Sequence, residues 1–513
     1  MIKNYKWLTG ILLIVLLASS SCRKDVGNYE YNDINDTKIK GINSAYSVAW
    51  GGNLTISPEL SFTKDDSNDT TKYAYEWFAV VPRTGNTADP RVLSRNKNLN
   101  WLVNLPATDA SYQVYYMVKE KATGVTWRKV FNIKITTNIA DGWLVLNEID
   151  NETRLDFFNY LSTSNSFEYY KDILSSFSTL KLEGKPQMLY FYQRKDPFSN
   201  KTEKTIFVGT DKNTSVINTT SFTFSEYKDL VNLMAAYIPP PFYARSVISI
   251  GGPLAYMYDN SGKLYFENPT SSVAFGSGIN RTITGEAIQI SPFIAEGLTS
   301  TQYALMYDID NKRFMEHKSI NLNVSVPAVK LTPPATPLFD PGNMGMDLLY
   351  MASTKALSNQ TYAVLKNNVG KLFLARISCN AAAFVPLAFD ELTAAPQIAN
   401  ATKFAIDPNE GYLMYVVGSK VYRYNVIDKS NTVVVDLGTR KISLLKYQKM
   451  VYAPGSTRYI EYANKLIICS YDDTNPNVSG RMDLYTVPNL NGDLMLYKTF
   501  DGLGKIVDVS YRE

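Results

Sequence analysis

Residues 404–417 read FAIDPNEGYLMYVV, and this pattern of two apolar runs around a polar turn recurs along most of the chain. Asp, Asn and Gly between two apolar runs are typical of a β-hairpin turn. Seven such units lie about 40 to 65 residues apart, which predicts a seven-bladed β-propeller with one four-stranded blade per unit. Their turns are at Asp150, Asp211, Asp259, Asp308, Asn368, Asp407 and Asp472, with second hairpins at Asp428 and Asn491.

The hairpin units define an all-β region that we assign to residues 138–513. A large two-layer β-sandwich or a β-solenoid is the alternative, because no WD or kelch signature occurs. One exception to the β pattern is the segment 221–237, where the leucine spacing predicts a short helix. The last strand, residues 505–511, is expected to pair with residues 143–146 and so close the propeller.

Short alternating strands also precede this region, from residue 39 to residue 137. Roughly 100 residues with about seven strands and frequent turns predict an immunoglobulin-like β-sandwich. Trp77 stands where such a domain buries its central tryptophan, and Tyr112 where it has a tyrosine corner. Val114 occupies the position of the second cysteine, so Trp77 is expected to pack on aliphatic side chains.

The first 22 residues have the layout of a bacterial lipoprotein leader. Lys3 and Lys6 precede an apolar run of about 11 residues, and small residues then lead to Cys22. The run is too short to span a bilayer. We therefore predict a signal peptide at 1–21, lipidation of Cys22, and attachment to a membrane through that lipid. The polar, turn-rich residues 22–38 are interpreted as a tether.

Composition excludes some partners and leaves the cysteines open. The net charge of +4 falls to +2 when Lys3 and Lys6 leave with the leader, so nothing indicates nucleic-acid binding. The 36 tyrosines and 23 phenylalanines favour sheet. Beyond Cys22 only Cys379 and Cys469 remain. They are interpreted as buried free thiols, with one disulfide as the alternative.

Catalytic and metal-binding patterns are sparse. The single histidine, His317, is interpreted as a strand-edge residue, since hydrolase and zinc sites need further partners. No phosphate-binding or dinucleotide motif occurs. We therefore expect no enzyme activity, no cofactor and no metal.

Acidic turns give the main alternatives to that expectation. The carboxylate pairs Asp308/Asp310 and Asp472/Asp473 leave glycosidase activity as an alternative, although Asp is common in turns for backbone reasons. The acidic stretch 64–69 resembles a calcium loop only in composition and is interpreted as solvated. Exposed aromatic residues could bind a peptide or glycan. The loop 239–243 is one candidate for such a site, and the alternative interpretation is that it forms a rigid structural corner. The ligand-binding residues stay undefined.

Four stretches resemble the PKD-like family of lipoproteins in Bacteroidota: residues 27–35 (GNYEYNDIN), 75–77 (YEW), 142–146 (GWLVL) and 504–511 (GKIVDVSY). The resemblance implies a PKD-like sandwich and an outer-membrane lipoprotein that faces the cell exterior. Such proteins accompany SusC-like transporters and SusD-like lipoproteins that import peptides or glycans. The implied role is a non-enzymatic accessory that binds or presents an oligopeptide or oligosaccharide. Cys22 is the only functional residue that carries over.

Two departures from the family pattern concern the leader. Ser19 stands where leucine is usual, and residues 23–25 (RKD) match the surface-export signal only in part. A periplasmic orientation therefore stays an alternative to a surface one. A stand-alone surface adhesin is the second functional hypothesis, and a carboxylate-dependent hydrolase is the third.

Overall fold

The computed structural model describes most of the chain from Asn35 to Arg512. Within that range it omits 66–68, 70, 82–88, 106, 108–110, 137–138, 140, 196–201, 220–221, 223–228, 252–253, 268–274, 277, 297–302, 319–328, 332–334, 337, 379–383 and 449–461. The predicted signal peptide, Cys22, Cys379 and part of the predicted tyrosine corner lie outside the described residues.

Nine strands form the N-terminal β-sandwich. One layer is a five-stranded sheet of order β2-β9-β8-β5-β6, in which β2 is parallel to β9. The pairs β1-β4 and β3-β7 pack on it through one apolar core. The strands are β1 Thr37–Lys40, β2 Ala45–Ala49, β3 Asn53–Ile56, β4 Glu59–Phe62, β5 Tyr73–Val81, β6 Asp89–Ser94, β7 Leu99–Leu102, β8 Tyr112–Glu120 and β9 Thr126–Thr136.

Trp77 is fully buried at the centre of this core, as the sequence predicts. Its neighbours differ from the expectation of aliphatic side chains. The register of β5 and β8 sets Tyr116 opposite Trp77, and the two ring centroids are 4.1 Å apart. Phe131 meets the indole edge-on at 6.1 Å. Stacked and edge-on aromatic rings therefore fill the space that a disulfide would take.

In the described residues, seven sheets follow the sandwich in chain order. Each starts at its innermost strand, except the first, whose innermost strand is the last strand of the chain. The first sheet contains β10 Gly142–Ile149, β11 Glu152–Leu161, β12 Ser166–Tyr170 and β35 Lys505–Arg512; the second contains β13 Pro186–Lys195, β14 Thr202–Thr210 and β15 Thr214–Asn218; and the third contains β16 Ala244–Gly251, β17 Leu254–Asp259 and β18 Leu264–Glu267. The fourth contains β19 Ala295–Glu296, β20 Tyr303–Asp308, β21 Arg313–Lys318 and β22 Val329–Lys330, and the fifth contains β23 Asp347–Thr354, β24 Gln360–Lys366, β25 Leu372–Ser378 and β26 Pro386–Glu391. The sixth contains β27 Lys403–Ile406, β28 Leu413–Val417, β29 Lys420–Tyr424 and β30 Asn431–Asp436, and the seventh contains β31 Lys441–Tyr447, β32 Lys465–Tyr471, β33 Gly480–Thr486 and β34 Met495–Leu503.

The sheets form a closed ring. A separate apolar core fills the space between each sheet and the next, and the last core joins the sheet of β31–β34 to the sheet of β10–β12. The closing strand β35 pairs antiparallel with β10, with Tyr511 opposite Trp143 and Val509 opposite Val145. The predicted closure is therefore confirmed, and so is the all-β class of a sandwich followed by a propeller-like domain.

The polar turns are hairpin turns, as the sequence predicts. Asp150 and Asn151 have positive φ angles of 51° and 66° and form the two-residue loop between β10 and β11. The turn at Asp407 is held by a side chain: Oδ1 of Asp407 accepts hydrogen bonds from the backbone N–H groups of Asn409 and Glu410 at 2.9 and 2.6 Å. Such side-chain acceptors stabilise tight turns.

Helical structure differs from the expectation. Of the predicted helix at 221–237, the described residues contain only a 3-10 turn at Leu230–Leu233. An unpredicted helix, α1, spans Ile173–Phe177, and a second 3-10 turn spans Pro396–Asn400. Helix α1 is five residues long, too short to show a helical period in the sequence. Among the described residues, no helix has the length and apolar character needed to cross a membrane.

Candidate ligand-binding site

The ring has two distinct ends. In a four-stranded antiparallel sheet, the last strand ends on the side of the ring where the first strand begins. The innermost strands β23, β27, β31 and β35 therefore run in the same direction. Strand β35 ends at Arg512 beside Gly142, where the connection from the sandwich enters. We call this side the linker end. The side where the innermost strands begin is the open end.

A cavity of about 340 Å³ opens between strands β23, β27 and β31 near the open end. Three half-buried aromatic rings line it. Tyr350 and Phe404 are stacked, with centroids 5.4 Å apart and planes 19° apart, and Phe293 meets Tyr350 edge-on at 5.3 Å. The remaining lining residues are Leu349, Ala399, Ala401, Leu444 and Leu445, with Lys366, Thr402 and Lys403 as polar members.

Lys403 is the most unusual group in this cavity. Burial lowers the pKa of its ammonium group, and repulsion from Lys505 lowers it further. The nearby acids already have partners: Lys505 binds Glu148 at 2.7 Å, and Lys446 binds Asp508 at 2.7 Å. Among the described residues, no carboxylate lies within ion-pair distance of Lys403. A half-buried cation without an anion provides a place for a negatively charged ligand group.

His317 is not among the residues that line this cavity. It is fully buried in β21, which is paired on both sides, so the strand-edge interpretation is wrong. Its Nδ1 is 2.5 Å from the Tyr256 hydroxyl, and Phe266 packs edge-on against the imidazole ring at 5.1 Å. The residue therefore belongs to the apolar core between two neighbouring sheets.

The two carboxylate pairs that leave a glycosidase as an alternative differ in their contacts. Asp308 is buried and accepts hydrogen bonds from Arg313 and Asn311, both at 2.9 Å, whereas Asp310 is exposed.

In the second pair, Asp472 accepts from Thr474 within its own turn, and these bonds lower the pKa of the Asp472 carboxyl. Asp473 instead forms an ion pair with Lys441. Asp308 and Asp472 thus stabilise their own hairpins, whereas Asp473 binds a lysine of strand β31.

The other sequence candidates are structural where they are described. In the acidic stretch 64–69, Asp65 is bound by Lys72 at 2.7 Å and by the Tyr73 hydroxyl at 2.9 Å. No group of three or more acidic, histidine or cysteine side chains in the described residues could hold a metal. Cys469 is buried and free, and burial raises the pKa of its thiol.

The loop 239–243 is a pinned corner of the ring. The side chain of Asn260 donates to the Pro241 carbonyl at 3.0 Å and accepts from the Tyr243 N–H at 3.3 Å. Phe242 is buried in the core beside Tyr265. These bonds favour the rigid-corner alternative over a ligand-binding loop.

Two ion pairs between an arginine and a buried aspartate lie in neighbouring sheets, and neither is predicted from the sequence. Arg154 binds the buried Asp156 at 2.7 Å in β11, and Arg481 binds the buried Asp483 at 2.7 Å in β33. A hydroxyl from the adjacent strand completes each site. The Arg-x-Asp spacing at both places was a usable signal.

These observations define the class of the protein as a β-sandwich joined to a propeller-like ring. Residues 22–186 match the model of the PKD-like family. This span covers the tether, the sandwich and strands β10–β12 of the ring, and the ring beyond Pro186 lies outside it. No protein of curated function matches the chain.

Several solved structures resemble the chain at low sequence identity. A quinonprotein alcohol dehydrogenase-like protein from Bacteroides thetaiotaomicron is 11% identical, with a TM-score of 0.51 over 92% of this chain and 97% of that chain. A protein from Lactobacillus plantarum is 13% identical over 73% of this chain and 100% of that chain, with a TM-score of 0.39. The extracellular domain of a protein described as a hybrid two-component system from B. thetaiotaomicron is 11% identical, with a TM-score of 0.38 over 90% and 67%. The first of these supports the fold and carries no functional assignment.

Proposed function

We propose that this chain is a lipid-anchored outer-membrane protein that binds a peptide or glycan at the cell surface. It presents this ligand to a SusC-like transporter and a SusD-like lipoprotein and performs no chemistry on it. The observation that carries the proposal is the cavity at the open end, where stacked aromatic rings adjoin a cation without an anion. Of the two carboxylate pairs, Asp308 and Asp472 accept hydrogen bonds within their own hairpins, and Asp310 and Asp473 are exposed.

The positions of the two domains support presentation away from a membrane. At the start of the described chain, the side chain of Asn35 donates to the Tyr73 hydroxyl at 2.9 Å and is buried at one end of the sandwich. Strand β9 runs from that end to the linker end of the ring over 11 residues, roughly 36 Å of extended chain. The described chain therefore starts at the end of the sandwich that points away from the ring and its cavity.

Localisation is tested with metabolic lipid labelling and proteinase K treatment of intact cells. The wild-type protein is expected to incorporate labelled fatty acid, to fractionate with the outer membrane and to be cleaved in intact cells. Cys22→Ala is expected to lose the label and leave the membrane. Labelling combined with full protection from the protease would place the protein in the periplasm and contradict surface presentation.

The partner proposal is tested by co-purification from outer membranes in mild detergent. A SusC-like transporter and a SusD-like lipoprotein are expected to elute with the tagged chain. Peptide and glycan arrays then test ligand binding separately. Binding without either partner would favour the stand-alone adhesin, and conversion of a bound glycan to shorter products would favour the hydrolase.

A further inference from the structure

We infer that the cavity at the open end binds the C-terminal end of an apolar oligopeptide, with the terminal carboxylate on the ammonium group of Lys403. The inference rests on the proposed function and specifies its ligand. It selects the peptide over the glycan, which the proposed function leaves open.

The charge pattern of the cavity calls for an anion. Lys403 and Lys366 are the two charged lining residues, and both are cationic. Lys505, the lysine that acts on Lys403, already binds Glu148 at 2.7 Å. A carboxylate entering the cavity would gain a charge-assisted hydrogen bond to Lys403 in a partly dehydrated setting, where such bonds are strong.

The polar inventory of the lining favours a peptide terminus over a sugar. Its side chains supply the hydroxyls of Thr402 and Tyr350 and two ammonium groups, but no carboxylate or carboxamide. The hydroxyls of a sugar ring need acceptors as well as donors, and unpaired polar groups are costly when buried. A peptide terminus needs one cation for its carboxylate and an apolar surface for its last side chain.

Shape and lining agree with this ligand. The cavity volume of about 340 Å³ suits one or two residues at a chain end. Leu444 and Leu445 form an apolar wall, and the stacked rings of Tyr350 and Phe404 offer aromatic faces. We therefore expect a terminal Phe or Leu to be preferred over a charged residue.

The test compares two forms of one peptide, Ala-Ala-Phe with a free carboxylate and Ala-Ala-Phe amide. Binding is measured by calorimetry on the mature lipidated chain in detergent. The free acid is expected to bind about 10- to 100-fold more tightly than the amide, the range for a hydrogen bond to a charged group. Lys403→Met is expected to remove this difference, and Lys403→Arg to retain most of it.

A matched control distinguishes local from general charge effects. Lys420 is exposed and pairs with Asp436, away from the cavity, so Lys420→Met should leave the preference for the free acid unchanged. Equal affinity for acid and amide, or an unchanged preference in Lys403→Met with wild-type circular dichroism, would overturn the inference. Tight binding of a glycan alone would overturn it while leaving the proposed function intact. Failure to bind any peptide or glycan would contradict both.

Discussion

The two ends of the ring differ in how several of their polar groups are held. At the linker end, two of these groups have partners in the connection from the sandwich: the Tyr511 hydroxyl donates to Asp141 at 2.9 Å, and Arg512 donates to the Ile139 carbonyl at 3.4 Å. Trp50 of the sandwich packs on Phe177 of the ring, with centroids 4.2 Å apart. At the open end, the aromatic rings are half-buried and Lys403 has no anion among the described residues.

This difference separates groups that hold the fold from groups that are available to a ligand. Buried polar groups with partners contribute to stability or at least cost little, whereas a half-buried unpaired charge costs stability. A protein keeps such a cost where function requires it. Substitutions at the linker end should therefore change stability and not affinity, and substitutions at the open end should do the reverse.

The largest expected effect is that of Tyr511→Ala at the linker end. Tyr511 is fully buried and packs edge-on against Trp143 at 5.0 Å in the closing pair of strands. Loss of a buried aromatic side chain costs about 3–5 kcal/mol. The urea midpoint followed by far-ultraviolet circular dichroism, to which the ring contributes most strands, should fall accordingly, while the folded fraction keeps wild-type affinity for the peptide acid.

Tyr511→Phe is the matched control because it keeps the ring and removes only the hydroxyl. It leaves the buried Asp141 carboxylate without this donor, which costs about 1–3 kcal/mol. If Tyr511→Ala is no more destabilising than Tyr511→Phe, packing at the closing strand is not what holds the linker end.

The contact between the domains should give a smaller effect. Trp50→Ala removes the tilted stack on Phe177, and we expect about 2 kcal/mol of lost stability. Limited proteolysis should cut between β9 and β10 faster in this variant. Tyr237→Ala is the control, since Tyr237 is 82% exposed and its loss should change neither the stability nor the rate of proteolysis. Equal cleavage of Trp50→Ala and wild type would show that the domains are joined by the chain alone.

The pH dependence of peptide affinity sharpens the comparison further. Because burial and Lys505 lower the pKa of Lys403, this ammonium group loses its proton below the ordinary lysine value of 10.5. Affinity for the peptide acid should therefore fall about tenfold as pH rises through that lowered pKa. Affinity for the peptide amide should stay flat over the same range. Parallel curves for acid and amide would exclude Lys403 as the binding cation.

The smallest expected effect is that of Lys403→Met on stability. Removing a half-buried cation without an anion should leave the free energy of unfolding within about 0.5 kcal/mol of wild type or raise it slightly. At pH values between the lowered pKa of Lys403 in the folded protein and its ordinary value in the unfolded chain, Lys403 is protonated in the unfolded wild type and deprotonated in the folded one. Wild-type stability therefore rises with pH in this window, and the variant lacks that rise. A clear loss of stability in Lys403→Met would mean that Lys403 is a structural residue.

Much of the fold is predictable because its signals are local. A turn residue such as Asp407 or Asn491 marks a hairpin wherever it stands between apolar runs, and the structure has hairpins at both. The closing pair of β10 and β35 follows from the general need of a propeller to bury its edges.

The cavity is not predictable in the same way. Phe293, Tyr350, Lys403 and Leu444 come from four different sheets or their connections, and nothing local in the sequence shows that they meet. The aromatic neighbours of Trp77 were missed for a related reason, since they depend on the register between β5 and β8.

A structure of the mature chain bound to Ala-Ala-Phe free acid tests the central claim most directly. We expect the peptide at the open end, with its terminal carboxylate about 3 Å from Nζ of Lys403 and its last side chain against Tyr350, Phe404 or Leu444. A peptide bound on the sandwich or at the linker end, or one whose carboxylate points into solvent, would contradict it.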